Sequence, residues 1–314
     1  MSKQELACTF VLRNIMIMNG ISSMFFEQYR SYPVNAALSK HIDCIWTEGF
    51  SKLPEYHYID HLIVPDNTAE LIFSTHSIER RFANEGDTVM KCHSHLAGLK
   101  TKPQLVKLKG AVLIAVRFKP YGLYRFTNIP LHETIDRSVP TEYLFGSAIK
   151  QLEEELLLTN DLKTQVVLIN SFFTKKLVRS KQSADDMFDH VCGQMISSGG
   201  MLKINELADQ LRVSVKTVER RFNERLGLSP KKYAQILRFF QSMKTAFDPE
   251  RDCLGSLAYA NGYYDQMHFV KEVKRFTGLT PREYFSLDRG IQAPIFSEPN
   301  TSTVFSDYQS FLST

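Results

Sequence analysis

Two groups of side chains near the C-terminus have the chemistry to read base-pair edges. Lys216, Thr217, Glu219 and Arg220 make the first group, and Gln266, His268 and Lys271 the second. Arg or Lys can reach guanine O6 and N7, Gln matches the N6/N7 pair of adenine, and Thr offers a hydroxyl, or a methyl to thymine. A further set, Arg221, Lys231, Lys232, Arg238, Lys274, Arg275 and Arg282, suits phosphate oxygens or helix ends. A lone charged run reads equally as a solvated face. Duplication tips the balance towards nucleic acid.

The sequence Gly227-Leu228-Ser229-Pro230-Lys231-Lys232-Tyr233 returns as Gly278-Leu279-Thr280-Pro281-Arg282-Glu283-Tyr284. Upstream, Leu207-Ala208 aligns with Leu257-Ala258, and Ser214 with Asp265. Each copy predicts a short helix, a turn and a second helix. In the first, Asn205 is expected to cap a helix carrying Leu207, Ala208 and Leu211. Arg212-Val213 turn, and Ser214 caps Val215 to Leu226. In the second, Asn261-Gly262 supplies a turn able to take positive φ, and Asp265 caps Gln266 to Phe276. Val218 and Phe222, like Phe269 and Val273, sit one turn apart and predict the core-facing stripe. Between the units, Ser229 and Pro230 open a helix that runs through Tyr233, Ile236, Leu237, Phe240 and Met243 to about Phe247.

The region from Ser183 to Leu287 resembles the DNA-binding domain of the AraC/XylS transcription regulators. The resemblance rests on Gly262-Tyr263-Tyr264-Asp265-Gln266-Met267-His268-Phe269, then Lys274-Arg275, then Gly278-Leu279-Thr280-Pro281 with Tyr284. Two positions depart from the family pattern: Val273 stands where Phe is usual, and Arg212 where a small turn residue is common. The resemblance implies two recognition helices in successive major-groove segments, spaced by the intervening helix about 34 Å apart. It also implies promoter DNA and RNA polymerase as partners, a bacterial setting, and no cofactor.

Charge agrees with that placement. Ser198 to Arg289 holds 16 Lys and Arg against 11 Asp and Glu, whereas the whole chain carries a formal net charge of only +4. Phosphate attraction would therefore come from the C-terminal third. No apolar run is long enough to span a membrane, and the opening Met1 to Gly20 is too broken for a signal peptide. Five scattered cysteines, Cys8, Cys44, Cys92, Cys192 and Cys253, fit a reducing cytoplasm rather than a disulfide framework.

The N-terminal part reads as short β-rich runs broken by turns. His61 to Val64 precedes Pro65-Asp66-Asn67, Glu70 to Thr75 follows, and Ala111 to Phe118 is the strongest run. A mostly-β barrel or sandwich is expected, and Tyr32-Pro33, Ile42 to Trp46 and Val116 to Pro120 resemble the sensory domain on one branch of the same family. Arg117, Tyr121, Tyr124 and Arg125 could bind an anionic or aromatic effector, or form an edge on which domains pack. Cys92, His93 and His95, with His57 and His61 near in sequence, have soft and imidazole donors for a metal, although His-x-His on a strand is also common surface decoration. Leu144, Ala148, Leu152 and Leu156, then Val166 to Leu177, predict two amphipathic helices around Thr159-Asn160-Asp161. These could bridge domains, form a homodimer surface or simply pack the core.

The expected organisation is an α+β multi-domain chain: an extension at 1–23, a mostly-β domain at 24–142 and a helical connector at 143–182. An all-α double helix-turn-helix domain at 183–288 and a disordered tail at 289–314 complete it. Ser183 is expected to cap the first helix of the DNA-binding domain. The expected function is a cytoplasmic, non-enzymatic, sequence-specific transcription regulator with an effector-sensing domain. The alternatives are a metal-dependent β-barrel enzyme, a DNA-repair protein fused to a DNA-binding domain, and a regulator whose β domain is a protein-interaction module with no small ligand.

Overall fold

The computed structural model describes residues 27–49, 59–82, 88–109, 112–246 and 254–286. The expected extension, the expected tail, Phe247, His57 and the side chains of His61, Cys92 and His93 lie outside the described residues.

Among the described residues, eight strands form the N-terminal half: β1 Glu27–Tyr32, β2 Ile42–Gly49, β3 Ile59–Ile63, β4 Ala69–Phe82, β5 Thr88–Ala97, β6 Gln104–Lys109, β7 Val112–Phe118 and β8 Ser138–Pro140. All pairings are antiparallel, in the order β1-β2-β7-β4-β5-β8, with β3 added beside β6 and β6 beside β4. The strand expected at Glu70 to Thr75 is the first half of β4. Its first half pairs with β7 and its second with β6, and β5 follows both halves across a register shift between Phe73 and Ile78. One long irregular strand can thus serve two neighbours on the same side, as bulges permit.

Ten α-helices follow among the described residues: α1 Thr141–Phe145, α2 Ala148–Leu158, α3 Leu162–Val178, α4 Asp186–Ser197, α5 Ile204–Gln210, α6 Val215–Arg225, α7 Pro230–Ala246, α8 Leu254–Ala260, α9 Gln266–Thr277 and α10 Pro281–Ser286. The first amphipathic helix expected from Leu144 to Leu156 is split. Gly146, at φ +65°, ends α1 and restarts the chain as α2. Asp161 then caps α3 by accepting from the Thr164 N–H at 2.9 Å.

Helix α3 covers the sheet. Val166, Ile169 and Phe173 are fully buried, and the Phe173 ring meets Phe118 at 5.6 Å and Phe126 at 5.1 Å. Asn170 accepts from the Asn35 N–H at 2.8 Å, and Asn35 donates to Thr174 at 2.8 Å, fixing the β1–β2 connection to the helix. A second aromatic run, Tyr124 to Phe188 to Phe222 to Tyr233, passes from the sheet domain into the helical one with centroid spacings of 5.8, 5.1 and 6.0 Å. The two halves therefore meet through packed apolar surface.

Candidate nucleic-acid interface

The two helix-turn-helix units repeat bond for bond at their turns. The Val213 N–H donates to Ala208 O at 3.0 Å and the Tyr263 N–H to Ala258 O at 3.0 Å; the Arg212 and Gly262 N–H groups donate to Asp209 O and Tyr259 O, each at 3.1 Å. These bonds close a turn only if its central residue adopts positive φ, and Arg212 (+56°) and Gly262 (+72°) both do. Arg212 occupies there a conformation that glycine takes without steric cost.

After each turn a short polar side chain caps the second helix. Ser214 accepts from the Thr217 N–H at 3.1 Å, and Asp265 from the His268 N–H at 2.7 Å. Asn205 does not cap α5; Lys203 stands at that N-cap without a side-chain bond. On α6, Val218 and Phe222 are fully buried while Lys216, Glu219 and Arg220 are exposed and Thr217 is half-buried. On α9, Phe269, Val273 and Phe276 are buried, Gln266 and Lys271 are exposed, and His268 is half-buried against Tyr263 at 5.4 Å. Val273 fills its site as completely as its neighbours, at 0% exposure.

Both units pack on α7. Ser229 accepts from the Lys232 N–H at 3.3 Å at its start, and Tyr233, Ile236, Phe239 and Met243 are fully buried along it. Phe239 meets Phe276 of the second unit at 4.9 Å, while Tyr233 meets Phe222 of the first. At about 1.5 Å rise per residue, its length of 17 residues makes a rigid spacer of about 25 Å between the two units.

Of the cations expected at phosphates, Lys231, Lys274 and Arg282 are exposed, and so is Arg275, which donates to Gln235 at 3.3 Å. Arg238 lies 5.9 Å from the Tyr263 ring. Lys232 is half-buried, and burial, then Arg275, holds its amine below the usual lysine value.

Arg221 is engaged elsewhere. It lies 3.4 Å from Asp185, which also attracts Arg225 at 3.6 Å. Asp185, not Ser183, caps α4, accepting from the Phe188 N–H at 3.1 Å. Its own N–H donates to the Tyr124 hydroxyl at 3.0 Å. Arg225 lies 5.0 Å from the Tyr124 ring and donates to Gln182 at 2.5 Å. This junction was not visible in the sequence, because Tyr124, Asp185 and Arg225 are far apart along the chain. The doublet Asp185-Asp186 before an apolar helix was the one available signal.

A second contact lies beside the exposed face of α6. The 3-10 turn Leu131–Thr134 packs on the α6–α7 turn so closely that a Cβ on Gly227 would fall 2.5 Å from the His132 nitrogen. Pro130 and His132 then share a cavity of about 740 Å³ with Lys216, Thr217, Glu219 and Arg220.

The four residues considered for an effector do not line one cavity. Arg117 is 1% exposed and bonds Glu70 at 2.7 and 2.8 Å; Glu70 also accepts from the Trp46 indole at 3.2 Å. These three residues stand on the adjacent strands β2, β7 and β4. Tyr121 is half-buried against the core. Tyr124 belongs to the domain junction, where burial, then Asp189, pushes its phenol up to about 12. Arg125 borders a cleft between α2, α3 and the 125–128 segment. As for a metal, His95 is fully buried, and the described residues contain no group of three His, Cys, Asp or Glu side chains placed to hold one.

A family described as "Helix-turn-helix domain" matches residues 207–286. The chain carries an AraC-type helix-turn-helix domain at its C-terminus. Residues 30–140 match a family described as "Domain of unknown function (DUF6597)", so the AraC-type domain is joined to a β domain whose family has no assigned role. No curated protein matches the chain. Among solved structures, ToxT of Vibrio cholerae is similar to it at 14% identity and TM-score 0.40, over 74% of this chain and 95% of that one. A second ToxT structure gives 11% identity and TM-score 0.43 over 84% and 100%. A fatty-acid-bound form gives 11% and 0.38 over 76% and 99%.

Proposed function

We propose that this protein is a bacterial, cytoplasmic, sequence-specific transcription regulator that binds promoter DNA and has no enzymatic activity. The observation that carries this reading is the duplicated turn, capped helix and exposed polar face on either side of one rigid helix. Lys216, Thr217, Glu219 and Arg220 would read one major-groove segment, and Gln266, His268 and Lys271 the next. Lys231, Lys274, Arg275 and Arg282, with Lys232 and Arg238 beside them, would hold phosphates, and Arg221 would join them when released from Asp185. The β domain would sense a small molecule or a partner, RNA polymerase would be the protein partner, and the outer faces of α2 and α3 would serve a homodimer.

The test is fluorescence anisotropy on duplexes tiling the DNA upstream of the gene and its neighbours, against scrambled duplexes and across salt. Preference for one tile is expected, with affinity falling as salt rises. Arg220→Ala should cost about 1 to 3 kcal/mol on the preferred tile and little elsewhere. No binding to any duplex at low salt would refute the proposal.

A further inference from the structure

The cleft between α2, α3 and the 125–128 segment has a volume of about 810 Å³, within the range of small-molecule sites. Its walls are chemically divided. Phe145, Leu152, Leu168 and Phe172 supply an apolar side, while Arg125, Lys175, Lys176, Arg179 and Lys181 supply five cations against one carboxylate, Glu155, which accepts from Gln151 at 2.8 Å. None of the five cations is ion-paired to a carboxylate among the described residues, although Asp189 of α4 faces Arg125. The Arg125 Nε is buried without a hydrogen-bond partner. Lys176 reaches inward, donating to Phe145 O at 3.1 Å and lying 5.6 Å from both the Phe145 and Phe172 rings. Burial, then Arg179, pushes its amine down from the usual lysine value. Gathering like charges around an apolar floor costs free energy unless an anion completes the site.

We propose that this cleft binds an amphiphilic carboxylate, its chain or ring on Phe145, Leu152, Leu168 and Phe172 and its head group among Lys175, Lys176 and Arg179. The cleft lies beside the connector to the AraC-type domain. Ser180 donates to Arg125 O at 2.6 Å and accepts from the Gln182 N–H at 3.2 Å, and the Gln182 carboxamide accepts from Arg225 of α6. A carboxylate that draws Arg125 or Arg179 towards it shifts the chain that holds Arg225. Occupancy thereby alters how the first recognition helix meets DNA, a consequence that rests on the DNA-binding reading, whereas the binding site does not.

Isothermal titration calorimetry of the full chain with decanoate, 2-naphthoate and decanol tests the site. At least one carboxylate should bind, and at least tenfold more tightly than decanol. Lys175→Gln with Arg179→Gln, both exposed positions, should weaken that carboxylate at least tenfold without lowering the melting temperature. Ser171→Trp, which fills the cleft, should abolish binding. Failure of both carboxylates to bind, equal affinity for decanol, or full affinity in the double variant would each overturn the proposal. Anisotropy on the preferred duplex, with and without the carboxylate, tests the coupling. A shift in wild type that the double variant lacks supports it, and carboxylate binding without any shift overturns the coupling alone. Carboxylate binding by a protein that takes up no duplex would overturn the DNA reading and leave the site standing.

Discussion

Replacing Asp185 should weaken the fold and strengthen its grip on DNA. The carboxylate is 9% exposed, caps α4 and lies near Arg221 and Arg225, whose side chains are 33% and 16% exposed. Removing an N-cap costs about 1 kcal/mol. The two charge contacts, at 3.4 and 3.6 Å, lack direct hydrogen-bond geometry. They fall between exposed pairs worth at most about 1 kcal/mol and buried ones whose breaking costs about 3 to 5 kcal/mol. A loss of about 2 kcal/mol is expected from the arginines together. Asp185→Asn keeps the cap and should cost about 2 kcal/mol, and Asp185→Ala about 3 kcal/mol, the difference being the cap. Equilibrium urea unfolding of the full chain at pH 7 reads both numbers. Each freed arginine that meets a phosphate should steepen the salt dependence of non-specific binding by about 0.9, so up to about 2 for the pair. An Asn variant as stable as wild type, with the same salt slope, would refute the reasoning on both counts.

Arg212→Gly should stabilise the protein by about 0.5 to 1 kcal/mol, because relief of positive φ exceeds the flexibility that glycine adds to the unfolded chain; a lower urea midpoint would contradict this. Gly227→Ala and Gly278→Ala share φ +78°, but only the first places a Cβ against backbone of the 131–134 turn. Both should lose about 1 to 2 kcal/mol to strain, and Gly227→Ala clearly more; equal losses would show that the docked turn yields freely. Asp66 is buried, and burial, then Glu70, pushes its carboxyl up to about 6. Its charged form is thus disfavoured by folding, a penalty absent below about pH 4 and complete above about pH 6. Asp66→Asn should therefore raise stability at pH 7.5, by about 1 to 2 kcal/mol after allowing for altered bonding to Thr68, with the gain vanishing at pH 4; a less stable variant at pH 7.5 would count against it.

The helix-turn-helix repeat was legible because its determinants are local. Ser214 and Asp265 cap by virtue of side-chain length, and Gly262 turns for want of a Cβ. Where several residues could do the same work, tertiary contacts chose among them. Ser183 and Asp185 are both competent caps, and Tyr124 with the two arginines selects Asp185. Leu144 and Leu152 share a helical period, but backbone geometry at Gly146 breaks it. The long β4 escaped notice because its alternation passes through a register shift. Arg117 in an apolar run suggested a ligand, since its partner Glu70 becomes its neighbour only when β4 and β7 pair. The cationic cleft was equally hidden, as Arg125 and Lys175 meet only once α3 lies across the sheet domain.

The segment from Arg179 to Asp185 has implications for how such a protein can be taken apart and recombined. A hybrid that grafts a foreign sensing module ahead of residue 183 would inherit the recognition helices without Tyr124, Arg125 or Gln182. The Asp185 N–H would lose its acceptor and Arg225 its aromatic bed. Successful exchange requires a donor module that brings an equivalent hydroxyl and ring, so the two halves are heritable as a matched pair rather than as beads on a string.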